Sequence, residues 1–137
     1  MSGYSGTPLP KKLGIKPNSV LALFNRPKEY DRLIQPMPEG VETVSEVTNR
    51  TDMIHIFSTE KIHLIDLLKS SLKLMNANAV IWVSWPKKSS KMETDITDDT
   101  IREVALPMGL VDVKVCAIDE TWSGLKLVIR KAKRKAG

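Results

Sequence analysis

Residues 79–88, AVIWVSWPKK, constrain the fold more than any other stretch of the chain. Val80 and Trp82 alternate with Ala79, Ile81, Val83 and Trp85, so an extended segment here is apolar on both faces and needs cover on both. A parallel sheet held between two layers of helices meets that need. A buried helix is the weaker alternative, because the run is short, rich in strand-forming valine, isoleucine and tryptophan, and broken at Trp85-Pro86. The strand delivers Pro86, Lys87 and Lys88 to the carboxyl edge of the sheet.

The flanking segments extend the same pattern. Residues 19–24, SVLALF, read as a first buried strand, followed by a short helix that starts at Asn25-Arg26-Pro27 and is stopped by Pro36 and Pro38. Residues 40–47 alternate as a weaker edge strand, residues 49–52 are a turn, and residues 53–57, MIHIF, are a third strand. Ser58-Thr59 caps a helix carrying Ile65, Leu68, Leu72 and Met75 on one side, ended by Asn76 or Asn78 in left-handed backbone. After a polar loop over 87–96, Thr97 caps a last helix with Asp98 and Asp99 in its first turn and an Ile96–Ile101 hydrophobic staple. Residues 111–118 and 124–131 are joined by too few residues for a parallel crossover and form an antiparallel hairpin.

The expected fold is therefore α/β: a single three-layer open sheet, mostly parallel with a C-terminal antiparallel hairpin, in strand order 2-1-3-4-6-5. The short link between the second and third strands leaves open whether they form a crossover or a hairpin. Residues 1–18, rich in Gly, Pro, Ser and Lys, read as an extended arm, residues 19–131 as the domain and residues 132–137 as a basic tail.

Size and composition narrow the class. A chain of 137 residues that is 42% hydrophobic and 27% charged fits one globular domain. No apolar run approaches the roughly 20 residues of a membrane span, and the first residues lack a secretory signal's apolar core, so a cytoplasmic protein is expected. The single cysteine, Cys116, excludes an internal disulfide and a cysteine metal cluster, and inside a strand it reads as a buried, inert thiol.

From residue 52 on, DMIHIFST, a helix, KLMNANAVIWVSW, a further helix and a closing hairpin resemble the second half of a class I methyltransferase domain. Over nearly the whole chain, GYSGTPLPKKLGIKP, VLALFNRP, WVSWPKKSSK and DETWSGLKLVIRK are similar to a family of small bacterial proteins, domain of unknown function 3052. That resemblance implies the fold and carries over no activity. The sequence also departs from the methyltransferase pattern. Where those enzymes turn on glycines beside the cofactor, Leu23-Phe24-Asn25-Arg26-Pro27 has none, and the acidic residue near the end of the second strand is reduced to Glu42 or Glu46. No cofactor is expected.

Ligands of open α/β sheets bind outside the carboxyl ends of the strands. That edge collects Asn25, Arg26, Ser58, Thr59, Trp85, Lys87, Lys88, Lys91, Asp119 and Trp122, with the lysines and the helix start near Ser58 as anion donors. Arg26 is expected to point over that edge, to share a pocket with Lys87, and to pair with Asp119, Glu120 or an anionic ligand. His55 and His63 lack a metal-ligand spacing and read as structural, and no Gly-x-Ser-x-Gly elbow or phosphate loop is present. The leading expectation is a non-enzymatic binding or regulatory domain for a small anionic ligand or a protein partner. A nucleic-acid-associated protein acting through Lys131, Lys133, Arg134 and Lys135, helped by Lys11, Lys12 and Lys16, is the second class, favoured by a net charge of +5. A degenerate methyltransferase is the third.

Overall fold

The computed structural model describes residues 7–131. Its centre is a six-stranded sheet in the order β2-β1-β3-β4-β6-β5, formed by β1 (Val20–Phe24), β2 (Glu42–Val44), β3 (Met53–Phe57), β4 (Val80–Pro86), β5 (Leu110–Ala117) and β6 (Trp122–Ile129). The first four are parallel, and β6 pairs antiparallel with both β4 and β5. This is the order expected from the sequence. The almost wholly buried β3 and β4, apolar but for His55 and Ser84, lie in the middle because only there are both faces covered.

One core lies between the sheet and the helices α3 (Lys61–Leu74) and α4 (Asp98–Ala105), where Leu64, Leu68, Ile101 and Val104 meet Ile54, Ile56, Ile81 and Val83. The other lies beneath α1 (Leu9–Leu13) and the single turn α2 (Tyr30–Leu33), where Leu9, Leu13, Tyr30 and Ile34 cover Leu21, Phe57 and Trp82. Gly124 permits the close approach on that face, since a Cβ there would stand 2.9 Å from Ile118 Cδ1 and 3.2 Å from the Trp82 ring. Among the described residues, no helix is long and apolar enough to cross a membrane.

Several local expectations change. Residues 1–18 are not simply an extended arm: Leu9–Leu13 is helical, with a proline in its first turn and Gly14 closing it at φ 83°. Leu9, Leu13 and Ile15 are buried, and Trp82 Nε1 donates to the Leu13 carbonyl at 3.0 Å. Residues 1–6 lie outside the described residues, as do those of the predicted basic tail. The helix placed at Pro27 begins only at Tyr30, because Pro27 opens a turn whose carbonyl receives the Tyr30 N–H.

The link between β2 and β3 is a crossover, not a hairpin, since the two strands flank β1 in parallel. Its shortness is tolerated because β2 has three residues and spans only about 10 Å. Val47 anchors the link in the core, and the Asn76 amide donates to the Asn49 and Thr51 carbonyls. The cap of α3 is Met75 in extended backbone, and neither Asn76 nor Asn78 has positive φ. The staple and cap of α4 are present: Ile96 and Ile101 are buried, and Thr97 and Thr100 exchange backbone-to-hydroxyl bonds. Arg102 adds a clamp across Asp98, Asp99 and Asp112 that holds the Asp112 carboxyl below its ordinary range.

Candidate functional site

The topology brings the ends of β1, β2, β3 and β4 and the β5–β6 loop to one edge, because β6 starts beside the end of β4 with Trp122 opposite Pro86. The predicted residues then separate. Asn25 and Arg26 line a cleft of about 430 Å³ with Leu23, Thr43, Val44 and Ser45, between the ends of β1 and β2. Asp119 and Trp122 line a second cleft, of about 420 Å³, against Pro27, Glu29, Arg32 and Met92.

Arg26 does not pair with Asp119 or Glu120, and it does not line a cleft with Lys87. It pairs with Asp31 at 3.1 Å, with side chains 46% and 72% exposed, because Pro27 and the following turn carry Asp31 round beside it. An ion pair this open is worth about 0–1 kcal/mol. Asp119 is used internally, its Oδ1 accepting from the backbone N–H groups of Thr121 and Trp122. The Trp122 ring packs edge-on against Phe57, and Trp85 is buried in the α3–α4 core. Both rings belong to the fold.

The amino end of α3 is already occupied. Ser58 and Thr59 do not cap it; the cap position is Glu60, and the Lys61 N–H donates at 2.7 Å to a carboxylate oxygen of Asp95, brought in from the loop before α4. Thr94 Oγ1 and the Asp95 N–H bind the Thr59 carbonyl and fix that loop. The anion site expected beside Ser58 therefore holds the chain's own carboxylate. Asp95→Ala should destabilise the protein by about 0.5–2 kcal/mol, the usual cost of a lost cap, read from the urea midpoint. Lys87 donates its backbone N–H to Thr121, while Lys88 lies in a 3₁₀ turn, Lys88–Ser90, closed by Lys91 at φ 61°. Lys131 is exposed past β6; Lys133, Arg134 and Lys135 lie outside the described residues.

A buried polar chain escaped sequence reasoning. His55 on β3 is fully enclosed, with Nδ1 3.1 Å from the Tyr30 hydroxyl and Nε2 2.7 Å from Ser84 Oγ. Burial pushes the imidazole pKa down to about 3 and the Tyr30 phenol above its ordinary range. Ser84 is as buried as His55, so the pair cannot meet a substrate and serves the core. Its members come from β3, β4 and α2, a juxtaposition no local spacing announces. Burial also raises the half-buried Cys116 thiol, against the nearby Lys12 and Lys114. Among the described residues, no group of three or more His, Cys, Asp or Glu is placed to hold a metal.

The family described as protein of unknown function, DUF3052, matches residues 12–131. The chain belongs to this family. No curated protein matches it in sequence. Among solved structures, this family member is similar to a protein described as a type 11 methyltransferase from Sulfolobus solfataricus, with TM-score 0.60 and 13% identity over 90% of both chains. It is also similar to the B. subtilis M1A22 tRNA methyltransferase TrmK, with TM-score 0.57 and 11% identity over 99% of this chain and 70% of that one. LepI in complex with SAM gives TM-score 0.55 and 12% identity over 89% of this chain, which spans only 39% of LepI. At such identities the likeness establishes the fold. It also reaches past the predicted span from residue 52 to take in the first strands.

The fold raises the matter of S-adenosylmethionine, and the residues after β1 do not fit it. Asn25 adopts φ 58°, and its amide donates to the Phe57 carbonyl at 3.2 Å, bridging the ends of β1 and β3 where a cofactor would need open backbone. Pro27 offers no N–H, and no glycine relieves the turn.

Proposed function

We propose that this domain is a non-catalytic binding module that takes a small anionic ligand in the cleft between the ends of β1 and β2, beside Arg26. The observation that carries the reading is Arg26 in the lining of that cleft, its guanidinium held by one exposed carboxylate. Phosphate or carboxylate oxygens bind an arginine fork bidentately, and the opposing Asp31 contact is weak enough to exchange. Thr43 and Ser45, both exposed on the opposite wall, add hydroxyl donors. The location is the one open α/β sheets use for ligands. No catalytic role is assigned, because the one serine–histidine pair at hydrogen-bond distance among the described residues is buried.

A thermal-shift screen of pyrophosphate, nucleoside mono- and diphosphates and sugar phosphates tests the reading. A ligand at 100 times its Kd stabilises the folded state by about 2.7 kcal/mol. A stabilising hit should lose its effect in Arg26→Ala, and S-adenosylmethionine should give none. Hits that stabilise Arg26→Ala equally would place the ligand elsewhere.

A further inference from the structure

Lys114 and Lys126 are cross-strand partners in the β5–β6 hairpin, and Lys16 of the arm comes near them. Trp82, Lys126 and Lys114 form a row across β4, β6 and β5, each directly opposite the next. Directly paired residues point to the same face, here the face covered by α1 and α2. The arm is fixed over that row at two points: the Leu13 carbonyl receives the Trp82 indole N–H, and Lys12 Nζ donates to the Ala117 carbonyl at 3.4 Å. Lys16, exposed, follows immediately along the arm. The ammonium of Lys126 is held below its ordinary pKa, first by partial burial and then by Lys114 and Lys16, so both of those charges act on it. None of the ion pairs among the described residues engages Lys16, Lys114 or Lys126. Mutual repulsion of this kind is relieved when a polyanion takes up the charges.

We infer that the arm and the β5–β6 hairpin together form a phosphate-backbone binding surface for duplex nucleic acid, with Lys16, Lys114 and Lys126 as its contacts. Lysines are point charges that neutralise phosphates without reading bases. Among the described residues every tryptophan and tyrosine is buried, so the face has no stacking platform of the kind single strands use. The surface is independent of the proposed ligand cleft, none of whose lining residues it shares.

Fluorescence anisotropy of the full chain with a labelled random-sequence duplex tests this. Each phosphate contact contributes about −0.9 to the slope of log K against log salt, so three contacts give a slope near about −3. Lys114→Glu/Lys126→Glu should weaken binding at least tenfold at low salt and bring the slope near about −1. Lys16→Glu, in the exposed arm, should reduce the slope by about 1 and serves if the double variant does not fold. The inference is overturned by no binding at low salt, by loss of binding only in Lys133→Glu/Lys135→Glu, or by binding to phosphatidylserine vesicles or polyglutamate in place of the duplex.

Discussion

Trp82→Ala should cost about 3–5 kcal/mol, the usual penalty for emptying a large buried aromatic site. The native margin of a domain this size is about 5–15 kcal/mol, so the variant should lose from about a fifth of that margin to all of it. The ring is fully buried, packs against the bare backbone of Gly124, and donates its N–H to Leu13. It is therefore the post on which α1 is hung. Trp82→Phe keeps an aromatic ring and loses the donor, so it should show a smaller cost, with about 0.5–1.5 kcal/mol from the hydrogen bond. Urea denaturation of the three proteins measures both. A loss below about 1 kcal/mol in the alanine variant would contradict the packing described for this face.

Acidification should destabilise the protein through His55. Its pKa is about 3 in the folded state, against about 6.5 for an unperturbed imidazole. Between those values the unfolded chain binds a proton that the folded protein excludes. The stabilising contribution is complete above about pH 6.5 and is lost as pH falls toward the folded value, at about 1.4 kcal/mol per unit. From pH 6.5 to pH 4.5 the loss from this one residue is roughly 2 kcal/mol, because half the unfolded imidazoles already carry the proton at pH 6.5. Carboxylates such as Asp112 add their own loss at lower pH, so the comparison is with His55→Gln. That variant starts less stable, because Tyr30 and Ser84 lose their partner, and its stability should fall less steeply between pH 6.5 and 4.5. Parallel pH profiles for the two proteins would assign the slope to other groups.

Strand order was legible because the apolar runs at β1, β3 and β4 can sit only in the middle of a covered sheet, and because the β5–β6 link is too short for anything but a hairpin. The helix in the arm was written in the sequence too. Its proline start and Gly14 stop are ordinary helix punctuation, outweighed in the reading by the Gly, Pro and Ser content around them. The partners that decide the site were not legible. Asp95 reaches the start of α3 across 34 residues, and His55 meets Tyr30 and Ser84 only once three elements are assembled. Spacing rules reach one or two turns along a helix or along one strand face, and these contacts are set by tertiary packing. The same limit explains Arg26. Its place at the carboxyl edge followed from topology, but its partner depended on where the turn after Pro27 sends Asp31.

The most direct test of the proposed function is amide chemical-shift mapping of the intact chain as pyrophosphate is added. The account predicts saturable shifts centred on Asn25, Arg26, Thr43, Val44 and Ser45, which line the cleft between the ends of β1 and β2, and their loss in Arg26→Ala. Saturable shifts confined to the other cleft, at Glu29, Arg32 and residues 119–122, or an unchanged spectrum at millimolar pyrophosphate, would contradict it.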